Sequence, residues 1–242
     1  LVFLYWVSLV YQCNFSLKIC YRYTKMKLSI PSVELADYTC RQLNTFFPSG
    51  SEVQRSDIFT VTEAAISRLE YCFSRINLKY FNDGAQPIFN HLNGDQYSMF
   101  LYWMSFLANT ELERSDVASK VYLLNKALHG IDAFYEVALP DIFLFVHPLG
   151  TVLGRASYQD YLIVYQRCGV GTNKGFYPRL GEYLTLHPGA SILGSSETEK
   201  NCAIASDSLL IDQHLQSNQT YIGNPKKFFT RERTSYNQVW NF

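Results

Sequence analysis

The chain has 242 residues, which is enough for one large domain or two modest ones with a buried core. Lysine plus arginine and aspartate plus glutamate number 21 each, so the formal net charge at neutral pH is zero. This balance creates no global field that would attract nucleic acid or an anionic membrane surface, so it favours a discrete small-molecule site.

The amino-terminal residues and the cysteines limit the class of protein further. An apolar run over residues 1–10 is broken by Gln12 and Asn14, well short of the roughly 20 residues that a membrane-spanning helix needs. We therefore expect residues 1–25 to be a leader that is disordered or not native, and no membrane anchor. The six cysteines lack Cys-x-x-Cys spacing and paired histidines, which predicts no metal site, no disulfide framework and a cytoplasmic protein.

Residues 56–130 carry a helical pattern. In residues 62–78 apolar side chains recur at steps of three and four, and residues 98–107 and 115–128 behave similarly. The segment Asn82-Asp83-Gly84, followed by Pro87, marks a turn between helices. The sequence predicts three to five amphipathic helices, and we assign residues 26–130 to an α-helical domain.

After Gly130 the apolar period changes to six. The first run is Val146, Val152, Tyr158, Val164 and Val170, and the second is Leu180, Leu186, Ile192, Thr198, Ile204 and Leu210. Small side chains mostly follow four residues later, as at Gly150, Ala190 and Cys202. This double register is typical of a hexapeptide repeat, in which three six-residue units close one triangular coil and the apolar residue points inward. We predict a parallel β-helix over residues 131–227 and a tail over residues 228–242, an α+β chain overall.

A glycine-rich insertion, residues 171–179, separates the two runs and shifts their phase. We expect it to leave the prism as a loop. Such a loop on a rigid scaffold often carries binding residues, but a tolerated surface excursion explains it equally well.

The motif around His147 resembles that of serine O-acetyltransferases, which belong to the hexapeptide-repeat acyltransferases. His147, Gly150 and Gly154 reproduce the family pattern H-x-x-G-x-x-x-G around its catalytic histidine. Gln166 matches a following family glutamine after one deletion. This resemblance implies a left-handed β-helix that transfers an acetyl group from acetyl-CoA.

Two further segments carry the resemblance, which covers about residues 130–227. Gly189-Ala-Ser-Ile-Leu-Gly194 matches a family coil, and residues 223–227 match the closing G-x-P-A-[KR] motif with Lys226 in place of the small residue. The helical part agrees with the family's helical amino-terminal domain only in kind.

Acetyl transfer to a hydroxyl requires a base that takes the hydroxyl proton as the oxygen attacks. By resemblance His147 is the general base. The family has an aspartate fifteen residues earlier that orients the histidine ring, which here is Asp132. Asp141 is the competing candidate for this role.

The acceptor loop departs from the family pattern. Where the family has Asp-Arg-His-Pro, this chain reads Gly175-Phe176-Tyr177-Pro178, without the arginine that would bind a substrate carboxylate. Arg179 or Lys174 can replace it from a neighbouring position. We predict Tyr177, Arg179 and Gln166 as substrate-binding residues.

The family lays the pantetheine arm of the donor in a groove between neighbouring prisms, where small residues let it approach the backbone. The matching positions are Gly189, Ala190, Ala205 and Ser206. Lys226 and Lys227 are predicted to meet the phosphates of CoA, and a solvated basic end of the prism is an equal alternative.

The resemblance thus implies a cytoplasmic serine O-acetyltransferase of cysteine biosynthesis, which forms O-acetylserine and CoA. Because the groove needs an adjacent subunit, it also implies a homotrimer or a dimer of trimers. Two alternatives stay open. One is O-acetylation of a sugar or another small hydroxyl acceptor, and the other is a noncatalytic β-helix scaffold.

Overall fold

The structure is a computed structural model that describes residues 26–50 and 52–241. The leader predicted over residues 1–25 lies outside this part. A helical region comes first in the described chain and a parallel β-solenoid follows it. The predicted fold class, a helical amino-terminal region followed by a left-handed β-helix, is confirmed.

Four helices occur among the described residues, and the last three lie in the region for which the sequence predicts three to five. They are α1 (Ser32–Phe46), α2 (Arg55–Phe73), α3 (Gly94–Thr110) and α4 (Ser115–His129). The sequence pattern predicts helix only from about residue 56, so α1 is a finding of the structure. Two short strands, β1 (Lys27–Leu28) and β2 (Ile88–Phe89), pair in parallel. No described helix has both the length and the apolar character that crossing a bilayer requires.

Helix α3 is enclosed by other elements on all sides. Residues 96–105 are buried without interruption, as expected of a helix in the middle of a core, and α3 packs against both α2 and α4. Its first turn is fixed by Asn93, whose side chain accepts hydrogen bonds from the backbone N–H groups of Asp95 and Gln96. The start of α3 is therefore a rigid platform for Asp95.

Three parallel sheets form the faces of the prism, and they are named here after their first strands. The β4 sheet contains β4 (Phe143–Phe145), β7 (Leu162–Val164), β10 (Thr185–Leu186), β13 (Ala203–Ile204), β16 (Gln219–Asn224) and the antiparallel edge strand β17 (Lys227–Glu232). The β3 sheet contains β3 (Ile131–Ala133), β5 (Thr151–Leu153), β8 (Gly169–Gly171), β11 (Ser191–Leu193) and β14 (Leu209–Ile211). The β6 sheet contains β6 (Ser157–Tyr158), β9 (Arg179–Leu180), β12 (Glu197–Thr198) and β15 (His214–Leu215).

The inward positions of the second run are confirmed. All six of its residues are buried, and within each sheet they pair in register with the inward residues of the coils above and below. Tyr158, Val164 and Val170 of the first run are buried as well. A continuous apolar column therefore fills the prism, as the six-residue period predicts.

Two positions of the first run are wrong by one residue. Val152 is 50% exposed and Val146 is half-buried, whereas the adjacent Leu153 and Phe145 are buried and point inward. Leu153 is the register partner of Val170, so this coil is one residue shorter than three six-residue units. The spacing of inward residues is therefore not six in this part of the chain: it is eight from Phe145 to Leu153 and five from Leu153 to Tyr158.

The glycine-rich insertion leaves the prism between β8 and β9, as expected. A bridge between Asn173 and Phe176 closes its tip, and the side chain of Asn173 donates a 2.6 Å hydrogen bond to Asp212. The ring of Phe176 is 62% exposed.

Candidate active site

One edge of the prism carries most of the predicted site residues. At this edge, called here the His147 edge, strands of the β4 sheet turn into strands of the β3 sheet, at residues 146–150, 165–168, 187–190 and 205–208. Hydrogen bonds of 2.9 Å connect the successive turns, from the N–H of Arg167 to Leu149, of Gly189 to Gln166 and of Asp207 to Pro188. The turns are therefore stacked in one column.

His147 lies on the first of these turns, where it contacts the helical region. Its backbone N–H donates a 2.9 Å hydrogen bond to Oδ1 of Asp95, and its Nδ1 lies 3.8 Å from the same oxygen. Its backbone adopts φ 49°, in the left-handed region, and its side chain is 80% exposed. The Asp95 carboxylate thus holds the backbone of His147 and lies near Nδ1, while most of the imidazole is exposed.

Asp95 is a site residue that the sequence analysis missed. It stands in the first turn of α3, where the helix dipole favours a carboxylate. Burial nevertheless raises the pKa of Asp95, and the hydrogen bond from the His147 N–H only partly opposes that rise. No local pattern brings together two residues that lie so far apart in the chain, since only the packing of α3 on the first coil creates the contact.

A pocket of about 550 Å³ opens beside this pair, between the start of α3 and strand β4. Its walls are largely apolar and are formed by Leu78, Tyr80, Phe81 and residues 144–146. Asn93, Asp95 and His147 form its polar end. No lysine or arginine lines the pocket within the described part of the chain.

The predicted pairing of Asp132 with His147 does not form in this structure. Asp132 instead accepts hydrogen bonds from Tyr122 at 2.7 Å and from Lys126 at 2.6 Å. Burial disfavours ionisation of Asp132, but these two donors outweigh it and lower the pKa below its usual value. The competing candidate Asp141 pairs with Arg68 at 2.7 Å. Among the described residues the carboxylate beside His147 is that of Asp95.

The three predicted acceptor-binding residues are split between two edges. Gln166 lies on the His147 edge, and its buried Oε1 has no hydrogen-bond partner among the described residues. Tyr177 lies in the loop between β8 and β9, on the edge between the β3 and β6 sheets, and Arg179 is the first residue of β9. Arg179 is bound to Glu197 at 2.8 Å, and the ring of Tyr177 lies against Arg155. A single protomer therefore does not bring Tyr177 and Arg179 together with His147.

The predicted donor-binding positions follow the His147 edge toward the far end of the prism. Gly189 occupies the third turn, while Ala205 is half-buried and Ser206 exposed on the fourth. The side chain of Ala190 is fully buried in the prism, so it cannot line a groove. Lys226 and Lys227 are exposed where β16 turns into β17, next in line along this edge.

An ion pair crosses Gly189. The guanidinium of Arg167, one coil above, lies 3.3 Å from the carboxylate of Asp207, one coil below. Gly189 has φ 76°, and a Cβ at this position would collide with the Asp207 carboxylate. Glycine is therefore required here both by the backbone conformation and by the close approach.

The described residues contain no cluster of three or more histidine, cysteine or acidic side chains that could hold a metal ion. Of the other histidines, His129 accepts or donates a 2.9 Å hydrogen bond with Asn125, and burial lowers its pKa to about 4. His187 stacks on Tyr165, and burial together with the nearby Arg233 lowers its pKa as well. These contacts give both rings structural roles.

Comparison with solved structures shows the fold to be that of serine acetyltransferases. The enzyme of Neisseria gonorrhoeae matches with a TM-score of 0.63 and 15% identity, over 86% of this chain and 82% of that one. The Brucella abortus strain S19 enzyme in complex with coenzyme A matches with a TM-score of 0.65 and 13% identity, over 86% and 85%. Soybean serine acetyltransferase complexed with serine gives a TM-score of 0.61 and 17% identity, over 83% and 82%. No protein-family model and no curated protein sequence matches the chain.

Proposed function

We propose that this protein is an acetyl-CoA-dependent O-acetyltransferase. The observation that carries the proposal is the position of His147, an exposed imidazole at the mouth of a pocket, beside a carboxylate and at the head of a column of small residues. In the Brucella and soybean structures the same fold is seen with coenzyme A and with serine.

In the proposed reaction His147 is the general base. It takes the proton of the acceptor hydroxyl as the oxygen attacks the thioester carbonyl, and the carbon–sulfur bond then breaks and the proton passes to the CoA sulfur. Asp95, whose oxygen lies 3.8 Å from Nδ1, stabilises the imidazolium that forms in between. This is the role that the sequence analysis assigned to Asp132.

The His147 edge offers a path for the donor. Four steps of about 4.8 Å along the stacked strands separate the turn of His147 from the turn of Lys226, so the path is roughly 19 Å long. Gly189 and Ser206 lie along it, and the two lysines at its end are placed for the CoA phosphates. The Arg167–Asp207 pair lies on the same path.

We propose a homotrimer, or a dimer of trimers paired through the helical region, as the assembled enzyme. The support is the separation of His147 from Tyr177 and Arg179 on different edges of the prism. In a threefold assembly the edge of one copy faces a different edge of the next, so the glycine-rich loop of a neighbour can complete the site.

L-serine is the leading acceptor, with O-acetylserine for cysteine biosynthesis as the product. A second candidate is a hydroxyl compound without a carboxylate, such as a sugar or an amino alcohol. The observation in its favour is that none of the described lysines and arginines lines the pocket, while Asp95 would repel a carboxylate. For localisation we propose the cytoplasm, because the described cysteines Cys40, Cys72, Cys168 and Cys202 are buried and free.

The proposal is tested by free-thiol release from acetyl-CoA with purified protein. L-serine, serinol, L-serine methyl ester and a panel of sugars serve as acceptors, and His147→Ala is the control variant. Turnover that depends on an acceptor and is lost in His147→Ala supports the proposal, and the preferred acceptor decides between the two candidates. If no acceptor causes thiol release and the protein does not bind CoA, the result would favour the noncatalytic scaffold.

A further inference from the structure

The segment after the last strand runs back along the prism toward the helices. This segment, residues 233–241, is called here the strap. Its first residue, Arg233, donates a 2.7 Å hydrogen bond to the carbonyl of Cys202 and a 3.3 Å bond to the hydroxyl of Thr185, one coil further back. The strap thus crosses the outer side of the β4 sheet from the end of the prism toward its beginning.

Aromatic rings fix the middle of the strap. Tyr236 packs edge-on against Tyr183, whose ring is stacked on Tyr161 with centroids 4.2 Å apart. Trp240 packs edge-on against the other side of this group, at 5.4 Å from Tyr161. Because Trp240 is only 3% exposed, its ring is part of the hydrophobic core.

The far end of the strap is bonded to the chain that follows α2. The N–H of Asn77 donates a 2.6 Å hydrogen bond to the carbonyl of Val239, and the N–H of Asn241 donates a 2.8 Å bond to Arg75. Ile76 and Trp240 form an antiparallel bridge. The strap therefore pairs with this segment as a short extra strand would.

The segment held in this way is the wall of the candidate acceptor pocket. Leu78, Tyr80 and Phe81 line the pocket and come directly after the bonded residues. On the opposite side the wall is tied to α3, because the side chain of Gln96 donates a 2.7 Å hydrogen bond to the carbonyl of Tyr80. Gln96 is the neighbour of Asp95, so the wall is braced between the strap and the catalytic end of the pocket.

We infer that Trp240 is a positioning residue for acceptor binding, and that the strap sets the distance between the wall at residues 78–81 and the His147–Asp95 pair. The inference rests on the proposed function, since it assigns this pocket to the acceptor. Loosening the strap lets the wall move, which weakens acceptor binding without touching His147 or the donor path.

The test compares Trp240→Ala with Trp240→Phe and with a matched control, Phe229→Ala. Phe229 precedes the strap and is 60% exposed, so its removal should change neither the wall nor the core. In Trp240→Ala the KM of the acceptor should rise about fivefold to tenfold, with the KM of acetyl-CoA unchanged and kcat within about twofold. Trp240→Phe should recover most of the acceptor affinity. If Trp240→Ala does not fold, Trp240→Leu is measured in its place by the same criteria.

A second readout is independent of catalysis. Hydrogen exchange of the amides of residues 76–81 should be faster in Trp240→Ala than in the wild type or in Phe229→Ala, while exchange in β11 stays slow. An unchanged acceptor KM, or equal losses in both KM values and kcat, would overturn the inference, and so would unchanged exchange at residues 76–81. If the wild type transfers no acetyl group, the proposed function fails, and the exchange measurement still decides whether the strap holds the wall.

Discussion

The later coils of the prism keep a strict six-residue spacing of inward residues, and its first coil does not. From Leu180 to Leu210 every sixth residue is buried in an unbroken column. In the first coil the period is disturbed, and there the prism meets α3, the pocket and His147. Regular spacing of inward residues lets the coils stack into a stable scaffold, whereas a functional site needs side chains that depart from this regular pattern. In this chain the departure lies in the first coil, at the end of the prism that packs on the helices.

The largest effect should come from the inward column of the regular coils. Ile192 is fully buried, so Ile192→Ala should lower the free energy of unfolding by about 2–4 kcal/mol through lost burial and the cavity left behind. Val152→Ala is the contrasting change in the first coil. Because Val152 is 50% exposed, its truncation should cost less than about 0.5 kcal/mol.

Urea denaturation of both variants and of the wild type measures the two losses in the free energy of unfolding. A cost for Val152→Ala as large as that for Ile192→Ala would mean that the strict six-residue register continues into the first coil, and that Val152 points inward after all.

A smaller effect is expected at Gly189, where the regular coils carry a local constraint. Gly189→Ala should cost about 1–2 kcal/mol, because alanine is strained at a positive φ and its Cβ meets Asp207. Repeating the change in an Asp207→Ala background should remove the collision and leave only the backbone strain of about 1 kcal/mol. Thermal unfolding of the wild type, the two single variants and the double variant gives the coupling free energy between the two positions. If the two free-energy changes are fully additive, Asp207 does not approach Gly189.

The smallest effect concerns Asp95 and the pH dependence of stability. Since burial raises its pKa, the folded state binds more protons than the unfolded state between the usual aspartate pKa and the raised one. Stability from this group is therefore lost as the pH rises through that interval. Asp95→Asn keeps an oxygen for the His147 N–H and should melt at a higher temperature than the wild type at pH 7.

That difference should vanish below the usual pKa of aspartate, where the carboxyl is protonated in both states. Melting curves from pH 3 to pH 8 test it, with Asp207→Asn as the exposed control. A wild type that is the more stable protein at pH 7 would show that the carboxylate is favoured at this position.

The same contrast explains what the sequence could predict. The column from Leu180 to Leu210 followed from spacing alone, because each residue repeats the environment of its equivalent one coil earlier. Val152 was misplaced because the inward residues Leu153 and Tyr158 are five positions apart rather than six, and Val146 because Phe145 and Leu153 are eight positions apart.

The contacts of Asp95 and of the strap could not be predicted from the sequence, for a different reason. The contact between Asp95 and His147 arises from the packing of α3 on the first coil, and the contact between Val239 and Asn77 from the return of the chain along the whole prism. Neither leaves a period or a motif in the sequence. The motif around His147, by contrast, is local and was found directly.

The most direct test of the account is to compare two carboxylates in the acetyl-transfer assay, with the acceptor that the wild type prefers. We predict that Asp95→Asn lowers kcat at least about tenfold, because it removes the charge beside the imidazole, and that Asp132→Asn lowers it less than about threefold. A large loss in Asp132→Asn with little change in Asp95→Asn would contradict the account, and would return to Asp132 the role that the sequence resemblance first assigned to it.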